Sequence, residues 1–184
     1  MDSVSDEKLV RECIGGNRQY QEMLYKKFCW KMMGVCLRYS KNKEEAEDFL
    51  QDGFVKVFTQ LKSYKGKGAL EGWIRRIIVN TILDALRKKS LMFKVVDIEE
   101  AHDEARAEDL LSEISVHDLV KLIQELAPGY RTVFNLYAVE GYAHKEIAAQ
   151  LGISEGTSKS QFAMARKVLR EKINEQAKEI SGKQ

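Results

Sequence analysis

Residues 141–170 read GYAHKEIAAQLGISEGTSKSQFAMARKVLR. Glu146, Ile147, Ala148 and Leu151 fit one short helix. Gly152 permits a sharp turn, because glycine enters positive φ at little steric cost. Ile153 packs beneath the turn, and Ser154 is a good N-cap for a second helix. Ser158, Phe162, Ala165 and Leu169 then recur at i, i+4, i+7 and i+11, which predicts that helix's core face. The layout, roughly 143–172, is a helix-turn-helix. Gly156, Lys159, Ser160, Ala163 and Lys167 make the opposite face, which suits a major groove. Lys159 and Ser160 are the first candidates for base or phosphate contact. Arg166, Lys167 and Arg170 suit backbone phosphates, and Met164, at the edge, suits a thymine methyl. The competing reading is a plain helical hairpin with a solvated basic helix. Small turn residues, a cap and a basic second helix together favour DNA.

The rest of the chain reads as helix too. Ser5 or Asp6 can cap a first helix whose apolar face is Leu9, Val10, Cys13 and Ile14, stopped by Gly15-Gly16. Tyr20, Met23, Leu24, Phe28, Met32, Val35 and Tyr39 continue at near-helical period. A third helix opens near Asn42, with Glu44 and Glu45 where the helix dipole favours acids. Its stripe is Ala46, Phe49, Leu50, Phe54, Val57, Phe58 and Leu61. KSYKGKG (62–68) reads as a basic loop. A fourth helix carries Leu70, Trp73, Ile74, Ile77, Ile78, Ile82, Ala85 and Leu86, and ends in Arg87-Lys88-Lys89. Residues 91–115 lose the period and read as an acidic linker, partly helical around 103–112. A second domain begins near Val116, with Leu119, Leu122, Ile123 and Leu126 on one face. Pro128-Gly129 breaks the chain. Val133, Phe134, Leu136 and Tyr137 follow, and Gly141 closes that helix. The expected fold is all-α, with domains at 5–90 and 116–175.

The net charge of +2 conceals a division. Residues 1–96 hold 19 Lys/Arg against 12 Asp/Glu, a balance of +7. Residues 97–118 hold Arg106 against nine acids, −8, and residues 119–184 return to +3. Basic folded segments suit a polyanion partner; the acidic connector does not. No apolar run approaches the roughly 20 residues of a membrane span, and MDSVSDEKLV is no secretory signal. A cytoplasmic protein without membrane insertion is expected. Cys13, Cys29 and Cys36 lack metal-ligand spacing and read as buried, reduced thiols on helix faces. No phosphate-cradling loop, metal cluster or nucleophile–base pair stands out, so neither enzyme chemistry nor a cofactor is expected.

Two further surfaces carry chemistry. GALEGWIRRIIVNTILDALRKKS (68–90) sets a basic helix beside aromatics, as single-stranded nucleic acid requires. Trp73 lies on the apolar stripe, where core packing is the default. Tyr64, in the loop, is freer to meet a base. Arg75 and Arg76 point away from the Leu70-Trp73-Ile77 face and suit phosphates. On EEAEDFLQDGFVKVF (44–58), Glu45, Asp48, Gln51 and Asp52 form an acidic and amide face. It suits a basic protein partner or plain solvent.

Both halves resemble one family, the sigma-70 family of bacterial RNA polymerase sigma factors, in its small extracytoplasmic-function group. EDFLQDGFVKVF (47–58) and GWIRRIIVNTILDALRKK (72–89) resemble region 2. APGYRTVFNLYAVEGYAHKEIAAQLGISEGTSKS (127–160) resembles region 4, in the family's order. The resemblance implies that Asp48, Gln51 and Asp52 bind core RNA polymerase. It implies that the loop 62–70, with Tyr64, captures a base flipped from the −10 element. Trp73, Arg75, Arg76, Asn80, Arg87 and Lys88 fall in the adjoining recognition and melting helix. Lys159, Ser160, Ala163, Met164, Arg166 and Lys167 fall to the −35 duplex. The acidic linker resembles a connector that threads the polymerase's RNA path, and no region 3 domain fits between the halves. An anti-sigma factor is an implied partner, and the free chain is expected to be a monomer. Three positions depart from the pattern. Ala143 replaces the usual Ser or Thr cap. Gln161 and Met164 stand where many members have Arg, implying fewer phosphate contacts. Ala127 replaces a common Leu before Pro128.

The expected function is therefore promoter recognition, DNA melting and transcription initiation with core polymerase. A free-standing helix-turn-helix regulator and a helical protein-interaction adaptor are the rivals.

Overall fold

The computed structural model describes residues 4–88 and 115–181, with side chains to residue 175. Most of the acidic linker, with its expected helix at 103–112, lies outside the described residues. The chain divides into two compact units, Met1–Lys88 and Lys89–Gln184. Among the described residues the regular structure is entirely helical.

The first unit holds four α-helices. α1 (Asp6–Ile14) is capped by Ser5, whose side chain accepts from the Lys8 amide at 3.3 Å. It buries Leu9, Val10 and Cys13, while Ile14 stays 39% exposed. α2 (Arg18–Tyr39) starts at the Asn17 cap. Its core face is Leu24, Phe28, Met32, Val35, Cys36 and Tyr39. The expected Met23 falls outside that face, as the 3.6-residue period drifts past it. α3 (Lys43–Gln60) opens with reciprocal capping: Asn42 accepts from the Glu45 amide, and Glu45 accepts from the Lys41 amide at 2.8 Å. A 3₁₀ turn, Leu61–Ser63, follows, so the basic loop shrinks to 64–69. α4 (Leu70–Lys88) buries Leu70, Ile74, Ile77, Ile78, Ile82 and Leu86.

α3 and α4 approach closely at Gly53. A Cβ built there would stand 2.7 Å from Ile78 Cγ1, inside contact distance. Glycine at the middle of α3 is therefore a packing requirement, despite its helix cost of roughly 1 kcal/mol.

Among its described residues the second unit holds α5 (Val116–Gln124), α6 (Pro128–Phe134), α7 (His144–Leu151) and α8 (Glu155–Ser181). Ser115 caps α5 through the Asp118 amide. Pro128 does more than break the chain. It sits in the first turn of α6, where its missing N–H costs nothing. α6 runs into a π-helical turn, Asn135–Val139. Leu122 and Ile123 of α5, with Leu126 just after it, pack with Ala165, Leu169 and Ile173 of α8. Each large side chain so buried contributes roughly 1.5–3 kcal/mol. Arg131 is buried in α6 and donates to the Leu126 carbonyl at 2.9 Å, tying α6 to the end of α5.

Gly53→Ala should lower stability by about 1–3 kcal/mol through overpacking. Gly34, inside α2, has open space around an added Cβ. Gly34→Ala should therefore raise stability by roughly 0.5–1 kcal/mol. Urea melts of the two variants read both signs; equal gains would refute the close α3–α4 approach.

Candidate nucleic-acid and protein interfaces

Helix period turns the Gly53–Ile78 contact into a statement about two surfaces. At 3.6 residues per turn, Asp48, Gln51, Asp52 and Val55 centre on the side of α3 opposite Gly53. All four are exposed. Trp73, Arg76, Asn80 and Arg87 likewise lie on the side of α4 opposite Ile78. The first unit thus turns an acidic face one way and a basic face the other.

The acidic face is not purely polar. Val55 is 58% exposed within it. Beside it, Tyr25, Met33, Glu47, Leu50, Gln51, Phe54, Val55 and Phe58 line a groove between α2 and α3. Tyr25 packs edge-on against Phe54, ring centroids 4.8 Å apart. Leu50, Phe54 and Phe58 were expected wholly in the core stripe; they also wall this groove. Val55 could have been found from sequence, since it extends Asp48, Gln51 and Asp52 at helical spacing. Trp30 on α2, 83% exposed, carried no comparable signal.

On the basic face the expected residues differ in freedom. Trp73 is half-buried rather than a core residue, because α4 turns it toward the loop. Its ring lies 5.4 Å from that of Tyr64. Tyr64 is less free than its loop position implied. Its hydroxyl donates to the Gly68 carbonyl at 2.8 Å, across a loop bent by positive φ at Gly66 and Gly68. Arg76, Asn80 and Lys88 are exposed; Arg75 is half-buried. Arg87 pairs with Asp84, which also meets Lys56 at 3.0 Å. Burial pushes the Asp84 carboxyl upward, but hydrogen bonds from Lys56 and Arg87 outweigh it and hold it below the usual range.

In the second unit Gly152 adopts φ 68°, ψ 34°, the left-handed turn the motif needs. Ser154 accepts from the Thr157 amide at 2.9 Å and so starts α8. Ala143 gives α7 half a capping box. Glu146 accepts from the Ala143 amide at 2.8 Å, but alanine returns no side-chain oxygen. Lys159 and Lys167 are exposed, and Lys159 pairs with Glu155 at 2.8 Å. Ser160 donates to the Thr157 carbonyl at 3.1 Å. Ala163, Met164 and Arg166 are half-buried, and Arg166 stands 5.9 Å from the Phe162 ring centre.

Two expectations change. Gln161 is only 8% exposed, with Oε1 buried and unpartnered, so it is not an outward residue lacking a phosphate. Phe162 is half-buried, not core. Its ring joins Phe134, Tyr137 and His144 in an aromatic cluster. His144 stacks on Tyr137 at 4.2 Å and 11°, and its Nδ1 meets the buried Ser158 Oγ at 2.9 Å. Sequence pattern missed this link between α7 and α8, because an isolated histidine has no periodicity.

Burial, then the charge of Lys159, pushes the His144 imidazole below its ordinary value, against an opposing pull from Glu155. A depressed folded value means that the unfolded chain binds the proton more readily. Stability from this site is present above about pH 6.5 and falls as pH drops through the unfolded value. Melting from pH 7.5 to 5.5 should show that loss, and His144→Phe should shrink it. An unchanged pH slope in the variant would contradict the assignment.

Comparison with known proteins covers both units. Residues 24–92 match the family Sigma-70 region 2, and residues 117–169 match Sigma-70, region 4. The ECF RNA polymerase sigma factor SigE of Mycolicibacterium smegmatis is 30% identical over 170 residues. That match covers 89% of this chain and 62% of the relative, so the chain spans under two thirds of that protein's length. The RNA polymerase sigma factor SigZ of Bacillus subtilis is 30% identical over 125 residues, covering 68% of this chain and 70% of the relative. A solved sigma factor RpoE, in complex with the anti-sigma factor NepR from Bartonella quintana, is 22% identical. It covers 82% of this chain and 94% of that one, with a TM-score of 0.49. The chain belongs to the sigma-70 family of RNA polymerase sigma factors.

Proposed function

We propose that this chain binds core RNA polymerase and directs it to promoters, opening the −10 element and starting transcription. The observation that carries the reading is the opposed pair of faces on α3 and α4. Asp48, Gln51 and Asp52, with Val55 and the adjoining groove, form the polymerase-binding surface. Exposed charge sets register there, while buried apolar groups supply most of the affinity. Trp73, Arg76, Asn80 and Lys88, with Tyr64, hold the opened −10 strand. Stacking on a ring contributes about 1–3 kcal/mol per base, which offsets the few kcal/mol of unstacking. Arg75 and Arg87 belong to the same basic helix. Arg87 must exchange Asp84 for phosphate, a change open to it because surface ion pairs are weak.

The −35 duplex meets the N-terminal part of α8. Lys159 and Lys167 neutralise phosphate, Ser160 and Met164 lie at the groove floor, and Ala163 allows close approach. Arg166 reaches phosphate from over Phe162. Domains at 5–90 and 116–175 carry the two promoter contacts, and the acidic stretch 91–115 threads the polymerase's RNA path. The chain performs no covalent chemistry in this scheme. An anti-sigma factor that covers these faces is the third partner.

Asp48→Lys with Asp52→Lys should weaken core binding at least 10-fold without changing the melting temperature, because both side chains are exposed. Fluorescence titration of labelled protein with core enzyme reads this; unchanged affinity would remove α3 from the interface. Lys167→Ala in the holoenzyme should make −35 duplex affinity less salt-dependent, by about 0.9 in the log–log slope per lost phosphate contact. An unaltered slope would place Lys167 away from DNA.

A further inference from the structure

Two features of α2 have no reason within the first unit. Trp30 is 83% exposed, which leaves a large apolar ring in water. Gly34 lies one turn further on, inside the helix, where glycine weakens it. At Gly53 a close neighbour accounts for the glycine, but a Cβ at Gly34 would meet nothing within 4 Å. The fold itself does not need residue 34 to be small. The two features explain each other. A helical side chain leans over the turn N-terminal to its own Cα, so a larger residue at 34 would lie across the Trp30 ring. Glycine leaves that ring bare and lets another backbone come close.

The ring is part of a strip. Met23 and Leu37 stand seven residues before and after Trp30, and Met33 stands three after it, so they share its side of α2. Met23 is 37% exposed, while Met33, Gly34 and Leu37 are half-buried. From residue 23 to residue 37 the strip runs about 21 Å along the helix. That length suits another helix. A stacked base would need the ring alone.

Charge frames the strip. α2 carries Arg18, Lys26, Lys27, Lys31 and Arg38 against Glu22. Lys26 meets Glu22 at 2.5 Å, Lys27 meets Asp6 of α1 at 2.7 Å, and Lys31 meets Glu71 of α4 at 2.6 Å. These exposed pairs are weak enough to be shared with an incoming carboxylate. The sign disfavours a second copy of α2, which would set cation against cation. It also separates the strip from the acidic α3 face, which calls for a basic partner.

We infer that the outer strip of α2 docks an amphipathic helix of another protein, one with an apolar ridge and acidic flanks. Trp30 is the anchor, as tryptophan commonly is at protein interfaces. Gly34 seats the partner's ridge against it. Lys26, Lys27 and Lys31 set the register. The inference goes beyond the proposed function, which assigns nothing to this side of α2.

The test uses the full chain and two designed helical peptides with the same apolar ridge, one flanked by glutamate and the other by lysine. Fluorescence anisotropy of the labelled peptides should show the glutamate form binding at least 10-fold tighter. Trp30→Ala should weaken it about 10-fold or more, as loss of an anchor does. Gly34→Leu should weaken it as much while stability in urea stays equal or rises, a pairing that a merely structural glycine would not give. No binding of the glutamate peptide, equal affinity for both peptides, or unchanged binding by Gly34→Leu would overturn the inference. Three further measurements with Trp30→Ala name the other occupants. A 10-fold loss of core polymerase affinity would make the strip part of the polymerase face. Dispersal of a dimer of the free chain in sedimentation would make the occupant a second copy. Loss of oligothymidylate binding would make it single-stranded DNA. Each of these would overturn the inference, and an unchanged result in all three supports it.

Discussion

Gly53 against Ile78 is the contact on which the first unit depends. Two helices brought this close share an apolar seam, and helix period sends their remaining faces outward in opposite directions. On α3 the outward face is acidic, amide and partly apolar. On α4 it is cationic and aromatic. A side chain at residue 53 would separate the helices and blur both surfaces. A sigma factor must hold a protein with one surface and an opened DNA strand with another. In the proposed reading the α3 face takes the first role and the α4 face the second.

The second unit depends on a different device. Gly152 in the left-handed region and Ser154 as cap set where α8 begins. The missing oxygen at Ala143 leaves α7 less firmly started than α8. The His144–Ser158 contact and the Tyr137 stack compensate by joining the start of α7 to α8. That join is formed by aromatic and imidazole groups rather than aliphatic ones. The start of α7 is therefore tied to α8 by a contact that responds to protonation, while Ile147, Ala148 and Leu151 bury the rest of α7's inner face.

Much of this was legible in the chain. Helix stripes, caps at Ser5, Asn42 and Ser154, and the glycine turn follow from local rules that act within a few residues. The exposed Asp48, Gln51, Asp52, Arg76, Lys159 and Lys167 were legible for the same reason, and Asn80 only through the family resemblance. Contacts between elements were not. Nothing local distinguishes Gly53, which must be small, from Gly34, which need not be. Gln161 looked outward because its family position is basic, but α8 rolls it toward the interior. Tyr64 looked free because a loop residue's hydrogen bond to a carbonyl four residues on leaves no mark in sequence. A groove between α1 and the 64–69 loop joins elements far apart in sequence, which no periodic pattern shows.

In the proposed function one chain couples polymerase to promoter DNA. Run-off transcription with purified core enzyme on genomic fragments tests it most directly. Transcripts with discrete start sites should appear only when the chain is added and vanish with Asp48→Lys and Asp52→Lys combined. No chain-dependent transcript, with tight specific duplex binding by the free protein instead, would contradict it and mark a free-standing regulator.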